Sequence, residues 1–346
     1  MSDKIRYPFE TAPEAGTLTE VASGIFWARL PLPMALDHVN SFILDDTVAG
    51  VEGWCIVDPG MDTAETRAIW EALLAGPLSA KPVIRVLVTH YHPDHIGLAG
   101  WFMARGAQLL TTRTSWLMAR MLVLDEQALP SQETLAYWWA AGMERALFEK
   151  RAQQRPFNFA DCVHPIPVGY TRLREGDQVQ IGARNWLVRT GDGHAPEHAT
   201  LWSQDDSLII GGDQLLPSIS ANLGVYAAEP EADPVSEWLD SCRKFLPEAR
   251  AEHLVLPGHK LPFTGLPTRL RQMIENHESA FARLLAHLDV PRTAADCFPP
   301  LFKRPITEGV YGLALVEAVA HLNYLRQIGQ VTRVTDKDGQ WIWSKT

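Results

Sequence analysis

The stretch from Thr89 to Gly97 constrains this chain more than any other, because it contains the pattern His-x-His-x-Asp-His. The apolar, β-branched run 83–88 precedes it and predicts a buried strand. Residues 96–105 follow it and predict a helix that ends at Gly106. The cluster is therefore expected on a short connection that a strand and a helix hold from both sides.

The spacing of the cluster predicts a metal site. Residues two apart at a strand end face the same way, so His90 and His92 are expected to point at one metal ion. Pro93 then turns the chain, and Asp94 and His95 are expected to address a second position beside the first. Imidazole and carboxylate bind Zn, Fe, Mn or Co, and the lack of thiolate argues against a closed structural zinc site. The alternative is a histidine-rich surface turn, which further candidate ligands downstream disfavour.

Three more motifs follow, each at the end of an apolar run. They are Thr190–His198 with His194, Leu208–Asp213 with Asp213, and Leu254–His259 with His259. Together with the first cluster, this series resembles the signature of the metallo-β-lactamase superfamily, and the resemblance extends from residue 90 to residue 259. Within that superfamily the chain resembles glyoxalase II-like and related metallo-hydrolases with an appended C-terminal winged-helix-like domain.

The resemblance implies a dinuclear centre with Zn²⁺ as the first choice of metal and Fe or Mn as alternatives. It assigns one ion to His90, His92 and His194, the other to Asp94, His95 and His259, and a bridging position to Asp213. An Asp at the place of Asp58 orients the ligand loops in the family, although an ordinary turn residue is an equal alternative. For His198 we favour a structural hydrogen-bonding role, because seven ligands already fill two sites.

The pattern along the chain predicts the α/β (α+β) class, with two sheets faced by helices. This agrees with the αββα sandwich that the resemblance implies. Strands are predicted at 24–30, 39–44, 54–57 and 108–112, hairpins at 172–182 and 199–210, and helices at 63–74, 234–245 and 266–288. We expect a catalytic domain over residues 1–289, and a winged-helix-like domain of two helices and a hairpin over 290–346.

A helical insertion is predicted at about 113–160, as two helices, the second beginning near Ser131. Its aromatic residues include Trp138 and Trp139. We expect them to form either an apolar lid over a substrate tail or a homodimer contact. The alternative is that they simply pack in the hydrophobic core. Asn222 lies in a loop predicted to cross the pocket mouth and is a weak candidate for substrate contact.

The net charge of −10 argues against nucleic-acid and anionic-membrane partners. No run approaches the roughly 20 apolar residues of a membrane span, and the N-terminal residues do not resemble a secretory signal. The four cysteines, Cys55, Cys162, Cys242 and Cys297, are scattered and predict reduced, packed residues of a cytoplasmic protein.

The ligand set implies hydrolysis by a water that two metal ions activate, with Asp94 orienting the nucleophile and passing its proton to the leaving group. A bridging Asp is shared by thioesterases, lactonases and phosphodiesterases of the superfamily. The acidic charge and the apolar insertion favour a small-molecule acyl substrate, a thioester or a related ester or lactone. A phosphodiesterase or ribonuclease, a mononuclear iron persulfide dioxygenase and a metal-binding regulator stay open as alternatives. The oxygen-reducing di-iron branch carries Glu where His92 stands, which disfavours that chemistry.

Overall fold

The computed structural model describes residues 4–346, which divide into two compact units. The first unit holds the residues up to Glu126, together with Asn158–Ser220 and Glu248–Arg269. The second holds Gln127–Phe157, Ala221–Pro247 and Leu270–Thr346. This partition does not test the predicted domain bounds of 1–289 and 290–346, which stay a prediction.

The larger sheet of the first unit has its seven strands side by side in chain order. They are β1 Thr19–Ala22, β2 Ile25–Pro31, β3 His38–Val48, β4 Val51–Val57, β5 Val83–Leu87, β6 Gln108–Thr112 and β7 Thr171–Leu173. Strands β1 to β4 pair antiparallel, and β4 to β7 pair parallel. Ala49 and Gly50 join β3 to β4 with φ of 50° and 82°, which suits a two-residue hairpin. The predicted strands of this region are confirmed.

The second sheet has five strands in the order β12-β11-β10-β9-β8. They are β8 Gln178–Ile181, β9 Arg184–Gly191, β10 His198–Ser203, β11 Leu208–Gly212 and β12 Leu254–Pro257. Strands β8 to β11 pair antiparallel, whereas β11 and β12 are parallel. The carboxyl ends of β11 and β12 therefore meet at one edge of the sheet.

Four helices accompany the larger sheet: α1 Ala64–Ala75, α2 Pro93–Ile96, α3 Ala99–Met103 and α4 Arg113–Leu124. Helix α1 begins after Thr63, whose hydroxyl caps it by accepting from the Thr66 amide. One buried cluster lies between these helices and the sheet, and includes Trp70, Val86 and Phe102. A second cluster, which includes Leu87 and Val188, fills the space between the two sheets. Each such side chain contributes about 1.5–3 kcal/mol by burial. The predicted sandwich class is confirmed.

The helix predicted over 96–105 is interrupted, and this prediction was wrong in detail. Helix α2 ends at Ile96 and α3 begins at Ala99, because the chain at Gly97 packs directly against the loop that follows β4. A Cβ at Gly97 would lie 2.6 Å from the Gly60 carbonyl oxygen and 2.7 Å from the Asp62 nitrogen. The tight contact bends the helix and keeps α2 as a separate turn that carries Asp94 and His95.

The hairpin predicted over 172–182 was also wrong. Strand β7 pairs with β6 in the larger sheet, whereas β8 pairs with β9 in the smaller one. The turn around Gly176 therefore carries the chain from one sheet to the other. The turn residues were recognised correctly, but local sequence does not show which sheet each flanking strand joins.

The second unit is mostly helical and ends in a two-stranded sheet. Its elements are α5 Gln132–Ala140, α6 Arg145–Arg151, α7 Pro234–Phe245, most of α8 Leu266–His287, α9 Phe298–Leu301, α10 Tyr311–Gln327, β13 Val331–Thr335 and β14 Trp341–Lys345. The segment 113–160 forms three helices rather than the predicted two, because the Glu144 carboxylate caps α6 by accepting from two amides of its first turn. The helices and hairpin predicted after residue 290 are present; their comparison to a winged helix stays a prediction.

All four cysteines are buried and free, as predicted. Over residues 4–346, none of the helices combines the length and the apolar character needed to cross a membrane.

Candidate metal centre

The predicted site residues of the larger sheet lie in loops that follow strand ends. Asp58 follows β4, and the segment from His90 to His95 follows β5, its parallel neighbour. In the second sheet His194, Asp213 and His259 follow β9, β11 and β12. Because carboxyl ends of parallel strands lie at one edge of a sheet, this topology gathers loops that are far apart in sequence.

The first group of ligand atoms belongs to His90, His92 and His194. His90 Nε2 lies 3.0 Å from His92 Nδ1, which in turn lies 3.0 Å from His194 Nε2. Two nitrogens on a tetrahedral zinc are separated by roughly 3.3 Å, given Zn–N bonds of about 2.0–2.1 Å. The three imidazoles thus converge as ligands of one small cation would.

The second group consists of Asp94, His95 and His259. Asp94 Oδ2 lies 3.5 Å from His95 Nε2 and 3.3 Å from His259 Nε2. His95 and His259 are almost completely buried, with exposed fractions of 0% and 1%. The structure therefore brings together the three residues that the sequence assigned to a second position.

Asp213 stands between the two groups. Its Oδ2 lies 3.5 Å from His194 Nε2 and 3.3 Å from His259 Nε2, and its Oδ1 lies 3.4 Å from His95 Nε2. One carboxylate thus faces a member of the first group and two members of the second. This position fits the bridging role that the resemblance implies for Asp213.

Comparison with known sequences now assigns the family. The pattern of the metallo-beta-lactamase superfamily matches residues 35–259, which include all seven of these residues. The chain belongs to the metallo-beta-lactamase superfamily. A second pattern, described as a metallo-beta-lactamase-like C-terminal domain, matches residues 281–346.

Individual proteins of this superfamily resemble the chain over nearly its whole length. A beta-lactamase domain protein from Burkholderia ambifaria is 37% identical with a TM-score of 0.91, covering 99% of this chain and 98% of that chain. A metallo-beta-lactamase family protein from Thermus thermophilus is 26% identical with a TM-score of 0.78, covering 94% and 100%. The probable metallo-hydrolase YqjP of Bacillus subtilis is 24% identical over 332 residues, 92% of this chain and 96% of the relative. The chain is a metallo-hydrolase of this superfamily.

The donor atoms fit the metals that the superfamily implies. His95 Nε2 and Asp213 Oδ1 are buried side-chain atoms without a hydrogen-bond partner among the described residues, and such atoms are rare in native proteins. The groups contain only imidazole and carboxylate, with ligand atoms within 4.8 Å of one another. This set suits divalent ions such as Zn²⁺, Fe²⁺ or Mn²⁺. Each group is thus able to hold one divalent ion.

The electrostatics of the two groups differ. Burial lowers the pKa of His92 to about 3, and His194 nearby adds to the lowering. Burial also opposes protonation of His259, yet Asp213 and Asp94 outweigh it and raise its pKa to about 10. The carboxylates raise the pKa of His95 in the same way. The second group therefore attracts positive charge, which a proton or a metal ion supplies.

Asp58 lies where the resemblance placed it. Its Oδ2 accepts from His95 Nδ1 at 2.9 Å and from the Thr89 hydroxyl at 2.9 Å, and its Oδ1 accepts from the Thr89 amide at 2.8 Å. With Nδ1 engaged, His95 presents Nε2 to Asp94 and Asp213. These contacts support the role of orienting the ligand loop.

His198 contacts His90 of the first group and the backbone of Asp213. Its Nε2 accepts from the Asp213 amide at 3.1 Å, and its ring stacks on that of His90 with centroids 4.5 Å apart. A Cβ at Gly212 would lie 2.6 Å from its Cε1, so the ring packs directly on the backbone beside Asp213. These contacts agree with the structural role that we favoured.

The three weak substrate candidates lie in the second unit, where Trp139 and Asn222 hydrogen-bond to other residues of that unit. Trp139 Nε1 donates to the Asp338 carbonyl, and its ring lines a cavity of about 510 Å³. Trp138 is half-buried in the same helix. The Asn222 amide donates to Glu317 at 2.6 Å and to the Leu313 carbonyl at 3.3 Å.

The sequence did not indicate the role of Glu197, which anchors the His194 loop. Its carboxylate accepts from the Thr114 amide and hydroxyl at the start of α4, and Arg172 lies 3.3 Å away. Its own amide donates to Asp192 inside the same loop. The partners lie 83 and 25 positions away, so no local pattern signals the contacts.

Proposed function

We propose that this chain is a dinuclear zinc hydrolase acting on a thioester or a related small acyl ester or lactone, in the cytoplasm. The observation that carries the hydrolase part is the position of Asp213 between the two ligand groups, 3.5 Å from His194 and 3.3 Å from His259. The name of the Bacillus subtilis relative, a probable metallo-hydrolase, supports the same reaction class. Two bound divalent ions would supply an acidified water and a Lewis acid for the acyl oxygen.

Asp94 is the residue that we assign to proton transfer. Burial opposes its ionisation, but His95 and His259 outweigh burial and lower its pKa to about 2. It is therefore a carboxylate at neutral pH, able to accept a proton from the attacking water and to return it to the leaving group. The other carboxylate of the centre, Asp213, holds the two groups together and is not free for this role.

The proposal of an acyl substrate is supported by the negative net charge of the chain and by the apolar helical insertion at about 113–160. A net charge of −10 disfavours a polyanionic substrate such as RNA, because phosphate binding relies on basic surfaces. The apolar residues of 113–160 include Leu117, Met121 and Leu124, whose side chains are exposed along one face of α4. Exposed apolar surface of this kind suits the hydrocarbon part of an acyl substrate.

The test combines metal content with turnover. Protein purified without added metal is analysed for elements and assayed against acyl thioesters, lactones and bis-p-nitrophenyl phosphate. We expect about two Zn per chain, turnover of a thioester or lactone, and a fall in kcat of about 10²–10⁴-fold in Asp94→Ala. Asp206→Ala is the matched control, because it removes a surface carboxylate that pairs with Arg184.

Three other outcomes would replace the proposal. Turnover of the phosphodiester alone would assign a phosphodiesterase. One iron per chain without hydrolysis would point to the persulfide dioxygenase. Two bound metals without turnover of any of these substrates would favour the regulator.

A further inference from the structure

Asn40 occupies a position that strand propensity does not explain. It lies in β3 within the apolar run 39–44, and it is 1% exposed. Asn is depleted in strands, and a buried amide must find hydrogen-bond partners or destabilise the fold. A buried polar residue that disagrees with the local strand propensity indicates a role other than strand formation.

The partners of Asn40 identify that function. Its Nδ2 donates to the Pro257 carbonyl at 2.9 Å and to the Lys260 carbonyl at 2.7 Å. Its main-chain amide donates to the Gly258 carbonyl at 2.7 Å, and its Oδ1 accepts from Trp27 Nε1 at 2.9 Å. Three of the four bonds therefore go to residues that flank His259, 217 to 220 positions away in sequence.

The loop that Asn40 holds is tight. Lys260 has a φ of 68°, a left-handed conformation that residues with a Cβ disfavour. A Cβ at Gly258 would lie 2.2 Å from Asp213 Oδ1 and 2.7 Å from His95 Cε1, so the backbone passes directly against two other ligands. Such a conformation persists only where surrounding contacts fix it.

The same strand also orients the ring of His259. Its Nδ1 donates to the His38 carbonyl at 2.7 Å, and the Lys260 amide donates to His38 Nε2 at 3.2 Å. The ring then presents Nε2 to Asp94 and Asp213, each at 3.3 Å. A ligating His whose other nitrogen donates to a carbonyl has its tautomer and direction fixed.

We propose that Asn40 is a positioning residue for the second metal site, and that it acts by holding the loop Pro257–Lys260 of the smaller sheet on β3 of the larger one. The inference rests on the proposed dinuclear centre. It predicts that loss of the Asn40 amide weakens the ion held by Asp94, His95 and His259 and leaves the other ion in place. The first group does not depend on this loop, because its three ligands come from the loops after β5 and β9.

The experiment measures metal affinity rather than turnover. Metal-free protein is titrated with Zn²⁺ against a chromophoric chelator, which resolves the first and second equivalents. In Asn40→Ala we expect the Kd of the equivalent that His259→Ala weakens to rise about 10–100-fold, with the other changed less than about twofold. His259→Ala supplies the reference pattern for a damaged second site.

Asn323→Ala is the matched control. Asn323 is also 1% exposed, and its Nδ2 also donates to two main-chain carbonyls, those of Pro230 and Ala232. Its loss removes the same kind of buried interaction outside the metal centre, so neither equivalent should change. Asn40→Asp is the second variant for the case that Asn40→Ala does not fold. It keeps the shape and the acceptor for Trp27 but removes both donors, and it should show the same selective loss.

The outcomes separate this inference from the proposed function. If the equivalent that His259→Ala weakens binds Asn40→Ala and Asn40→Asp as tightly as wild type, the positioning role is overturned, and equal weakening of both equivalents would also overturn it. Wild-type protein that binds fewer than two ions would instead overturn the proposed dinuclear centre, and the positioning role with it.

Discussion

Two regions of this molecule bury histidines in pairs, and they treat positive charge in opposite ways. In the metal centre His95 and His259 face the carboxylates of Asp94 and Asp213, and their pKa values are raised. In the second unit His277 Nδ1 lies 3.2 Å from His321 Nε2, with the rings stacked 5.2 Å apart. Burial lowers the pKa of His277 to about 3 and that of His321 to about 4.

The difference shows what makes a histidine cluster a cation site. Burial alone favours neutral imidazoles, as it does for the pair in the second unit, where His321 Nδ1 donates to the Glu317 main-chain carbonyl. Carboxylates within 3.5 Å reverse that preference in the metal centre. Within residues 4–346, the groups of three metal-ligating side chains all lie at that centre. Histidine spacing predicted a site, but the carboxylates give it its charge.

Removing the central carboxylate tests this comparison with the largest expected effect. Asp213→Asn keeps the shape of the side chain but removes the charge that faces His194, His95 and His259. We expect the affinity for the second Zn²⁺ to fall by more than about 100-fold. That loss exceeds the roughly 10–100-fold loss of metal affinity expected when a residue that only supports a ligand is changed. Turnover should be lost with it. Elemental analysis and a chelator titration measure the stoichiometry, with Asp206→Asn as the control. Retention of two tightly bound ions would show that the histidines alone are sufficient.

The histidine pair of the second unit should make the metal-free protein sensitive to acid. Below pH about 6.5 the unfolded chain binds protons on both imidazoles, whereas the folded chain keeps them neutral down to pH about 4 and 3. The free energy of unfolding is therefore undiminished by these two histidines above pH 6.5, and it falls as the pH drops below that value. His321→Gln should reduce the loss between pH 7 and pH 5 by about 2 kcal/mol, measured by urea unfolding.

The control for that experiment is His287→Gln, because His287 lies in the same helix as His277 but is only half-buried, with its Nε2 donating to the Asp296 carbonyl. If the free energy of unfolding of His321→Gln changes with pH as steeply as that of His287→Gln, the pair in the second unit does not disfavour protonation. The difference from the metal centre would then not exist.

The strands and the convergence of the seven candidate ligands could be predicted because each position has a local signal. Strand β6 has the predicted bounds 108–112, since an apolar run there follows a glycine turn. The ligands stand at the ends of such runs, and topology then gathers them. Contacts that span the chain were beyond prediction. Asn40 reaches residues 217 to 220 positions away, and the turn at Gly176 gave no sign that it connects two sheets.

A further expected effect concerns the carboxyl group of Glu317, which stands one helical turn before His321 in α10. Glu317 is half-buried in α10, where the Asn222 amide donates to its Oε2 at 2.6 Å. Burial raises its pKa to about 7, against the lowering effect of Asn222. Between pH 4.5 and 7 the folded chain therefore binds more protons than the unfolded chain, and this carboxyl group destabilises the protein as the pH rises. That slope opposes the one from the histidines.

Glu317→Gln keeps the acceptor for Asn222 and cannot ionise. It should therefore match wild type at pH 4 and be more stable at pH 8, on the order of 1 kcal/mol for each unit by which the pKa is raised. Urea unfolding at the two pH values measures the difference, with the exposed, Lys150-paired Glu308→Gln as control. An equal gain at both pH values would trace the effect to packing. In the second unit, only His277 and His321 would then be shown to disfavour their charged forms. The comparison with the metal centre would be limited to that pair of histidines.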